Sequence, residues 1–83
     1  MKLYIARDEG IYDDDYNYVK PGKLHLFYDT PIPYYDDETK THKFGTARVV
    51  AEIPTYMYPD VHEGECYEIH FDNNNIYKKI DLN

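Results

Sequence analysis

The sequence predicts an all-β fold with at most one short helical turn. About five strands are expected to form an antiparallel meander, either as a curled sheet or as a small open barrel. Apolar and polar residues alternate in five separate segments, which is the period of a half-buried strand. Proline, glycine or asparagine separates most of these segments. No stretch carries apolar residues at helical spacing between helix start and stop signals.

The first strand is predicted at residues 2–7, where Leu3 and Ile5 share one face. Residues 8–10, Asp-Glu-Gly, supply turn chemistry. Residues 11–22 contain three successive aspartates and end in Lys-Pro-Gly. Because aspartate and asparagine disfavour strands, this stretch is predicted to be a projecting hairpin or loop.

The second strand is predicted at residues 24–29, with Leu24 and Leu26 on one face. Pro31 and Pro33 are expected to stop it, because proline has no N–H to give to a ladder of hydrogen bonds. A second acidic excursion then follows.

The third strand is predicted at residues 45–53, the longest alternating stretch in the chain, and Pro54 ends it. Residues 55–64 are expected to be irregular. Two further strands at residues 65–72 and 76–82 are predicted to form a closing hairpin around an asparagine turn. The residues predicted to form the core are Leu3, Ile5, Leu24, Leu26, Val49, Ala51, Ile69, Phe71 and Ile80.

Length and charge limit the function. Eighty-three residues are enough for one domain, which we expect to span residues 1–83, and a formal charge of −7 opposes binding to nucleic acid or to an anionic membrane. Cys66 is the only cysteine, so no intrachain disulfide can form. With no apolar run of membrane-spanning length and too short an apolar start for a signal peptide, a cytoplasmic location is expected.

The opening Leu3-Tyr4-Ile5-Ala6-Arg7-Asp8-Glu9, Gly10 and the later Leu24-His25-Leu26-Phe27 resemble small uncharacterised proteins of phages and mobile elements of gut bacteria. The resemblance covers about the first third of the chain and brings no catalytic residues with it. Here residues 11–22 separate the two strands, and Phe44 stands where relatives often have tryptophan. The resemblance implies a mobile-element accessory protein, one that counters a host defence enzyme such as a CRISPR effector.

Two excursions combine tyrosine with carboxylates, a composition suited to contacting a basic protein surface. Tyrosine offers a large contact area at low entropic cost, and carboxylates add complementarity to lysine and arginine. A fixed array of carboxylates can also stand in for a phosphate backbone. The predicted partner-binding residues are Tyr12, Asp13, Asp14, Asp15, Tyr16 and Tyr18 in the first excursion, and Tyr34, Tyr35, Asp36, Asp37 and Glu38 in the second. Tyr56, Tyr58 and Asp60 form a third patch. The alternative is that the aspartates occupy solvated turns and the tyrosines cover the edges of the core.

Metal sites are disfavoured by spacing, and no cofactor is predicted. Asp13-x-Asp15-x-Asn17 opens like a calcium loop, but Tyr18 stands where the tight turn needs glycine, and Leu24 where a bidentate glutamate is needed. Cys66, Glu68 and His70 share one strand face, but alternate strand residues lie about 6.5 Å apart, too far to chelate one ion easily. A solvated strand face and a free thiol are predicted instead.

Catalysis is also disfavoured, because the chain has no serine and only one cysteine, and its four glycines are isolated rather than grouped in a phosphate-binding loop. The sequence therefore predicts a non-enzymatic binding module for a partner protein with a basic surface, with no direct contact to nucleic acid or membrane. The alternative is a small structural protein of a mobile element that forms homo-oligomers through its strand edges.

Overall fold

The computed structural model describes residues 2–45, 48–70 and 76–80. Within that part, strands are the only regular secondary structure, and no helix that could cross a membrane is present. The strands are β1 Lys2–Arg7, β2 Ile11–Tyr12, β3 Tyr18–Lys20, β4 Leu24–Phe27, β5 Ile32–Asp36, β6 Thr41–Gly45, β7 Val49–Ile53, β8 Cys66–His70 and β9 Ile76–Ile80.

Five strands form one antiparallel sheet in the order β7-β4-β1-β8-β9, which confirms the predicted all-β, five-stranded architecture. Ile5 lies opposite Leu26 on one side of β1 and opposite Tyr67 on the other. The first three strands of this sheet along the chain, β1, β4 and β7, lie side by side in that order. The next strand, β8, pairs with the free side of β1 and forms a hairpin with β9. The sheet is not closed into a barrel within the described residues.

Two short hairpins stand apart from this sheet, β2–β3 and β5–β6. The first confirms the projecting hairpin predicted for residues 11–22. The second corrects the prediction that residues 45–53 form one strand: Gly45 ends β6, and β7 begins at Val49. Pro33 also lies inside β5 instead of only stopping the preceding strand. Proline is tolerated there because β5 is paired only on its β6 side among the described strands, so an N–H need not be donated outward.

One face of the sheet packs under the segment 54–65. Ile5, Leu24 and Ile69 are fully buried there, and Val61 of the covering segment is 1% exposed. The partly buried residues around this cluster are Leu26, Ile53, Tyr58 and Tyr67. We call this the loop face.

The opposite face packs under the β5–β6 hairpin, and we call it the hairpin face. Ala6, Phe27 and Cys66 are buried on the sheet, and Phe44 of β6 covers them. Successive residues of a strand point to opposite faces, so Ile5 and Ala6 bury on different sides. The sheet is therefore covered on both faces.

This two-sided packing decides which core predictions hold. Leu3, Ile5, Leu24 and Ile69 are buried, as predicted. Leu26 and Ile80 are half-buried. Val49 and Ala51 are exposed, so their prediction as core residues is wrong: they lie in β7, an edge strand of the sheet. Phe71 and the asparagine turn lie outside the described residues.

Arg7 fastens the covering segment to the loop face. It is 7% exposed, and its Nε donates a 2.6 Å hydrogen bond to the carbonyl of Val61. Nη1 donates to Thr55 O at 2.9 Å, and Nη2 donates to Met57 O at 3.1 Å and to Tyr58 O at 3.4 Å. A planar guanidinium with five N–H donors can reach several carbonyls at once. The segment 54–65, which contains no strand, is thus held by a side chain of the central strand.

Candidate functional site

Asp8 and Glu9 join the β5–β6 hairpin and the Gly22–Lys23 segment to the end of β1. The buried Asp8 carboxylate accepts a 3.0 Å hydrogen bond from Phe44 N–H, and its burial raises the pKa of that carboxyl. Glu9 N–H donates to His42 O at 3.0 Å, while its carboxylate accepts from His42 N–H at 3.3 Å. On the other side, Asp8 N–H donates to Lys23 O at 2.8 Å. Gly22 is needed there, because a Cβ would collide with the carbonyl oxygen of Asp8.

The tip of the β2–β3 hairpin is a tight turn organised by Asp13. Asp13 N–H donates to Asn17 O at 2.9 Å, and Tyr16 N–H donates to Asp13 O at 3.0 Å. The Asp13 carboxylate accepts from Asp15 N–H and Asn17 N–H, both at 2.9 Å. These backbone donors, Asn17 first, hold the pKa of Asp13 below its usual range. Asp13 therefore acts mainly within its own turn.

Tyr16 closes this turn in an unusual conformation. Its φ is +63°, in the left-handed region that glycine or asparagine adopts more easily, and its side chain is 88% exposed. A bulky aromatic residue there costs about 1 kcal/mol or more and buries almost nothing in the chain itself. The fold alone gives no reason for a tyrosine at this position.

The tip of the β5–β6 hairpin follows the same plan around Asp36. Its Oδ1 accepts from Glu38 N–H at 2.8 Å, and its Oδ2 lies 2.9 Å from the Lys43 ammonium. Lys43 first, and then the Glu38 N–H, hold the pKa of Asp36 below its usual range. Lys40 N–H donates to Asp36 O at 2.7 Å, and Lys40 has a φ of +57°. Asp36 is likewise mainly a turn-forming residue.

The two tips flank one open groove of about 520 Å³. One wall carries Tyr12, Asp13, Asp14 and Tyr16; the floor carries Glu9 and Gly10; and the other wall is residues 38–41. The groove is lined by four carboxylates and a single lysine, Lys40. The nearby charge of Glu63 raises the pKa of Tyr12. The groove thus offers acidic oxygens beside aromatic surface.

Five of the predicted site residues line this groove: Tyr12, Asp13, Asp14, Tyr16 and Glu38. The other predicted tyrosines lie beside it or away from it. Tyr18 packs edge-on against Tyr12 with ring centroids 5.5 Å apart, and Tyr35 packs against His42 at 5.2 Å. The Tyr34 ring lies against Gly45.

None of the three remaining predicted carboxylates lines the groove: Asp15 and Asp37 are exposed, and Asp36 is partly buried in its own turn. The sequence prediction did not include Glu9, Lys40 or the two groove threonines, Thr39 and Thr41. Glu9 could have been suspected, because it belongs to the turn that follows β1 and precedes the first excursion.

The third tyrosine patch does not join the groove. Tyr56 is 80% exposed, whereas Tyr58 is half-buried against the cluster on the loop face. Both lie in the segment that Arg7 holds to the loop face, and neither lines the groove.

The structure corrects the predicted surroundings of Cys66. The prediction that it lies on a solvated face is wrong: it is 1% exposed, beneath Phe44 on the hairpin face. The neighbouring Glu68 carboxylate lies 3.2 Å from His70 Nε2 and 3.1 Å from the Lys2 ammonium. Within the described residues, no group of three His, Cys, Asp or Glu side chains could hold a metal ion.

Burial makes the Cys66 thiol unreactive in the folded protein. Desolvation raises its pKa to about 12, and only the thiolate attacks thiol reagents. At pH 8 we expect the native protein to react with a disulfide reagent on the order of 10³-fold more slowly than the denaturant-unfolded protein, which exposes an ordinary thiol. Stopped-flow absorbance of the released thiolate measures both rates. Similar rates in the two states would contradict the packing of Cys66 under Phe44.

Comparisons with known protein families, with curated proteins and with solved structures found no match. The site is therefore interpreted from its own geometry.

Proposed function

We propose that this chain is a non-enzymatic binding module whose acidic groove docks on a basic surface of a partner protein. The observation that carries the proposal is the convergence of two hairpin tips, distant in sequence, on one groove that presents four carboxylates and the exposed ring of Tyr16. Aromatic anchors supply much of the energy of protein interfaces, and surrounding charges raise the rate of encounter.

Tyr16 is the anchor in this proposal. A solvent-exposed tyrosine held at positive φ is costly in the isolated chain, and such strained positions concentrate where a residue contacts a ligand. Contact with a partner would bury the Tyr16 ring, which folding of the isolated chain leaves exposed. Asp14, Glu38 and Glu9 would then meet lysine or arginine around it.

The proposed partner surface is one that ordinarily binds nucleic acid. Carboxylates on a rigid frame can occupy the positions of phosphates, and the overall charge of −7 favours approach to a basic cleft. With the resemblance of the opening segment to phage and mobile-element proteins, this leads us to propose a host defence enzyme such as a CRISPR effector as the target. The site of action would then be the host cytoplasm.

Two variants with the same change in charge test the groove. Asp14→Asn with Glu38→Gln neutralises two carboxylates that line it, and Asp15→Asn with Asp37→Asn neutralises two that do not. Tagged parent and both variants are used as baits in a bacterial lysate. A partner of the groove is retained by the parent and by the Asp15/Asp37 variant, and is depleted on the Asp14/Glu38 variant.

The association rate of the captured protein is then measured against salt concentration. We expect the Asp14/Glu38 variant to associate about tenfold more slowly at low salt and to have a flatter salt dependence, because steering acts through nearby charges. Short duplex DNA should compete with the parent for the captured protein. Equal rates for the two variants would mean that only net charge matters and would remove the groove from the mechanism.

A further inference from the structure

Glu63 belongs to the covering segment and does not line the groove, but the backbone around it is held in place. On one side of it, His62 N–H donates to the Glu65 carboxylate at 2.9 Å. On the other side, Gly64 N–H donates to the carbonyl oxygen of Arg7 at 2.9 Å. The half-buried Glu63 side chain therefore starts from a backbone that is anchored to the end of the central strand.

The Glu63 carboxylate reaches the foot of the β2–β3 hairpin, which forms one wall of the groove. One of its oxygens fills the space that a Cβ at Gly10 would take, and the Tyr18 ring lies 2.9 Å from that position. Glu63 is also close to the Tyr12 hydroxyl: its charge foremost, and hydrogen bonding with that hydroxyl as well, raise the pKa of Tyr12. Gly10, Tyr12 and Tyr18 thus all meet one carboxylate from a distant part of the chain.

Tyr12 is restrained at two places by these contacts. Its ring packs edge-on against Tyr18 at an interplanar angle of 64°, and its hydroxyl lies near Glu63. The side chain nevertheless stays 48% exposed and lines the groove. A ring that is fixed before binding loses little rotamer freedom when a partner binds. The face of such a ring attracts the cation of a lysine or arginine side chain.

We propose that Glu63 is a positioning residue, which holds the Tyr12 ring in the groove wall so that a lysine or arginine side chain of the partner packs over it. This inference rests on the proposed function, because the carboxylates of the groove draw such a cation towards the ring. Glu63 acts from behind the wall and does not touch the partner. The covering segment therefore shapes the binding site in addition to covering the loop face.

Two variants of equal charge separate the position of Tyr12 from the charge of Glu63. Glu63→Gln keeps the length of the side chain and a hydrogen-bond acceptor, whereas Glu63→Ala keeps neither. By NMR, we expect the nuclear Overhauser contacts between the Tyr12 and Tyr18 rings to persist in Glu63→Gln and to weaken in Glu63→Ala. The pKa of Tyr12 should fall in both variants, because both remove the nearby negative charge. Identical ring contacts in the two variants would overturn the positioning role of Glu63.

An oligoarginine peptide is the binding probe, titrated into each protein by calorimetry at about 0.15 M salt, where the Debye length is about 8 Å. We expect Glu63→Ala to bind the peptide about fivefold more weakly than Glu63→Gln, which is the contribution of a cation over an exposed aromatic ring. The two variants have the same net charge, so the difference reports on position. In a Tyr12→Leu background the difference should vanish, because the ring that Glu63 positions is then gone.

The same titration separates a failure of this inference from a failure of the proposed function. The Asp14→Asn/Glu38→Gln variant should bind the peptide more weakly than the Asp15→Asn/Asp37→Asn variant, which has the same charge. If these two bind equally, or the parent does not bind, the groove does not take cations and the proposed function fails. If they differ while Glu63→Ala and Glu63→Gln bind equally, the groove stands and the role of Glu63 is overturned.

Discussion

Arg7→Met is expected to lower the free energy of unfolding by about 3 kcal/mol or more, a large part of the stability of so small a domain. Methionine keeps most of the apolar stem of arginine but removes the hydrogen bonds to the carbonyls of the covering segment. The Val61 carbonyl, which accepts a buried hydrogen bond, is left without its donor. Groups that lose a partner while buried cost more than a typical hydrogen bond contributes.

The measurement is denaturant unfolding followed by circular dichroism, with Arg48→Met as the matched control. Arg48 also makes a bidentate pair, with Asp29 at 2.8 and 2.7 Å, but its side chain is 63% exposed. Exposed ion pairs contribute less than about 1 kcal/mol. If Arg7→Met and Arg48→Met unfold at the same denaturant concentration, Arg7 does not hold the segment 54–65 to the sheet.

Ile69→Ala is expected to cost about 2–5 kcal/mol, because it removes a fully buried side chain and leaves a cavity among Ile5, Leu24 and Val61. The midpoint of denaturant unfolding should fall while its slope stays constant, since the surface exposed on unfolding hardly changes. Leu26→Ala should cost less than Ile69→Ala, because Leu26 is only half-buried.

The matched control is Ile32→Ala, the same substitution at a residue that is 67% exposed in β5. Its cost should stay below about 1 kcal/mol, the range of strand propensity. A parent-like midpoint for Ile69→Ala would mean that the loop face is not the core of the protein.

The strands of the central sheet could be predicted because alternation is a local property. Leu3 and Ile5 in β1, or Tyr67 and Ile69 in β8, alternate with their neighbours whatever else the chain does. The sequence did not predict the β5–β6 hairpin, because local residue types there point to a loop. Pro33, Asp36 and Lys40 are typical of a polar loop, and the pairing becomes evident only when the strand that follows is known.

The candidate site was predicted in composition but not in geometry. The clustering of tyrosine and aspartate singles out both excursions in the sequence. Their convergence depends on Asp8 and Glu9, whose hydrogen bonds to Phe44 and His42 bring β6 beside the end of β1. The assignment of Asp13 and Asp36 to their own turns depends on backbone N–H directions, which composition does not specify.

The sequence by itself determined the fold class, the alternating strands of the central sheet and the two acidic excursions, because these follow from local periodicity and turn chemistry. Only the tertiary structure decided that both faces of the sheet are covered, since Val61 and Phe44 reach them from distant parts of the chain. It also decided which parts of the chain Arg7 and Asp8 bind. Arg7 is the last residue of β1 and Asp8 directly follows it; their side chains reach opposite faces of the sheet, so one holds the covering segment and the other holds the hairpin. What lies over a face is a long-range property, and no local pattern of residues encodes it.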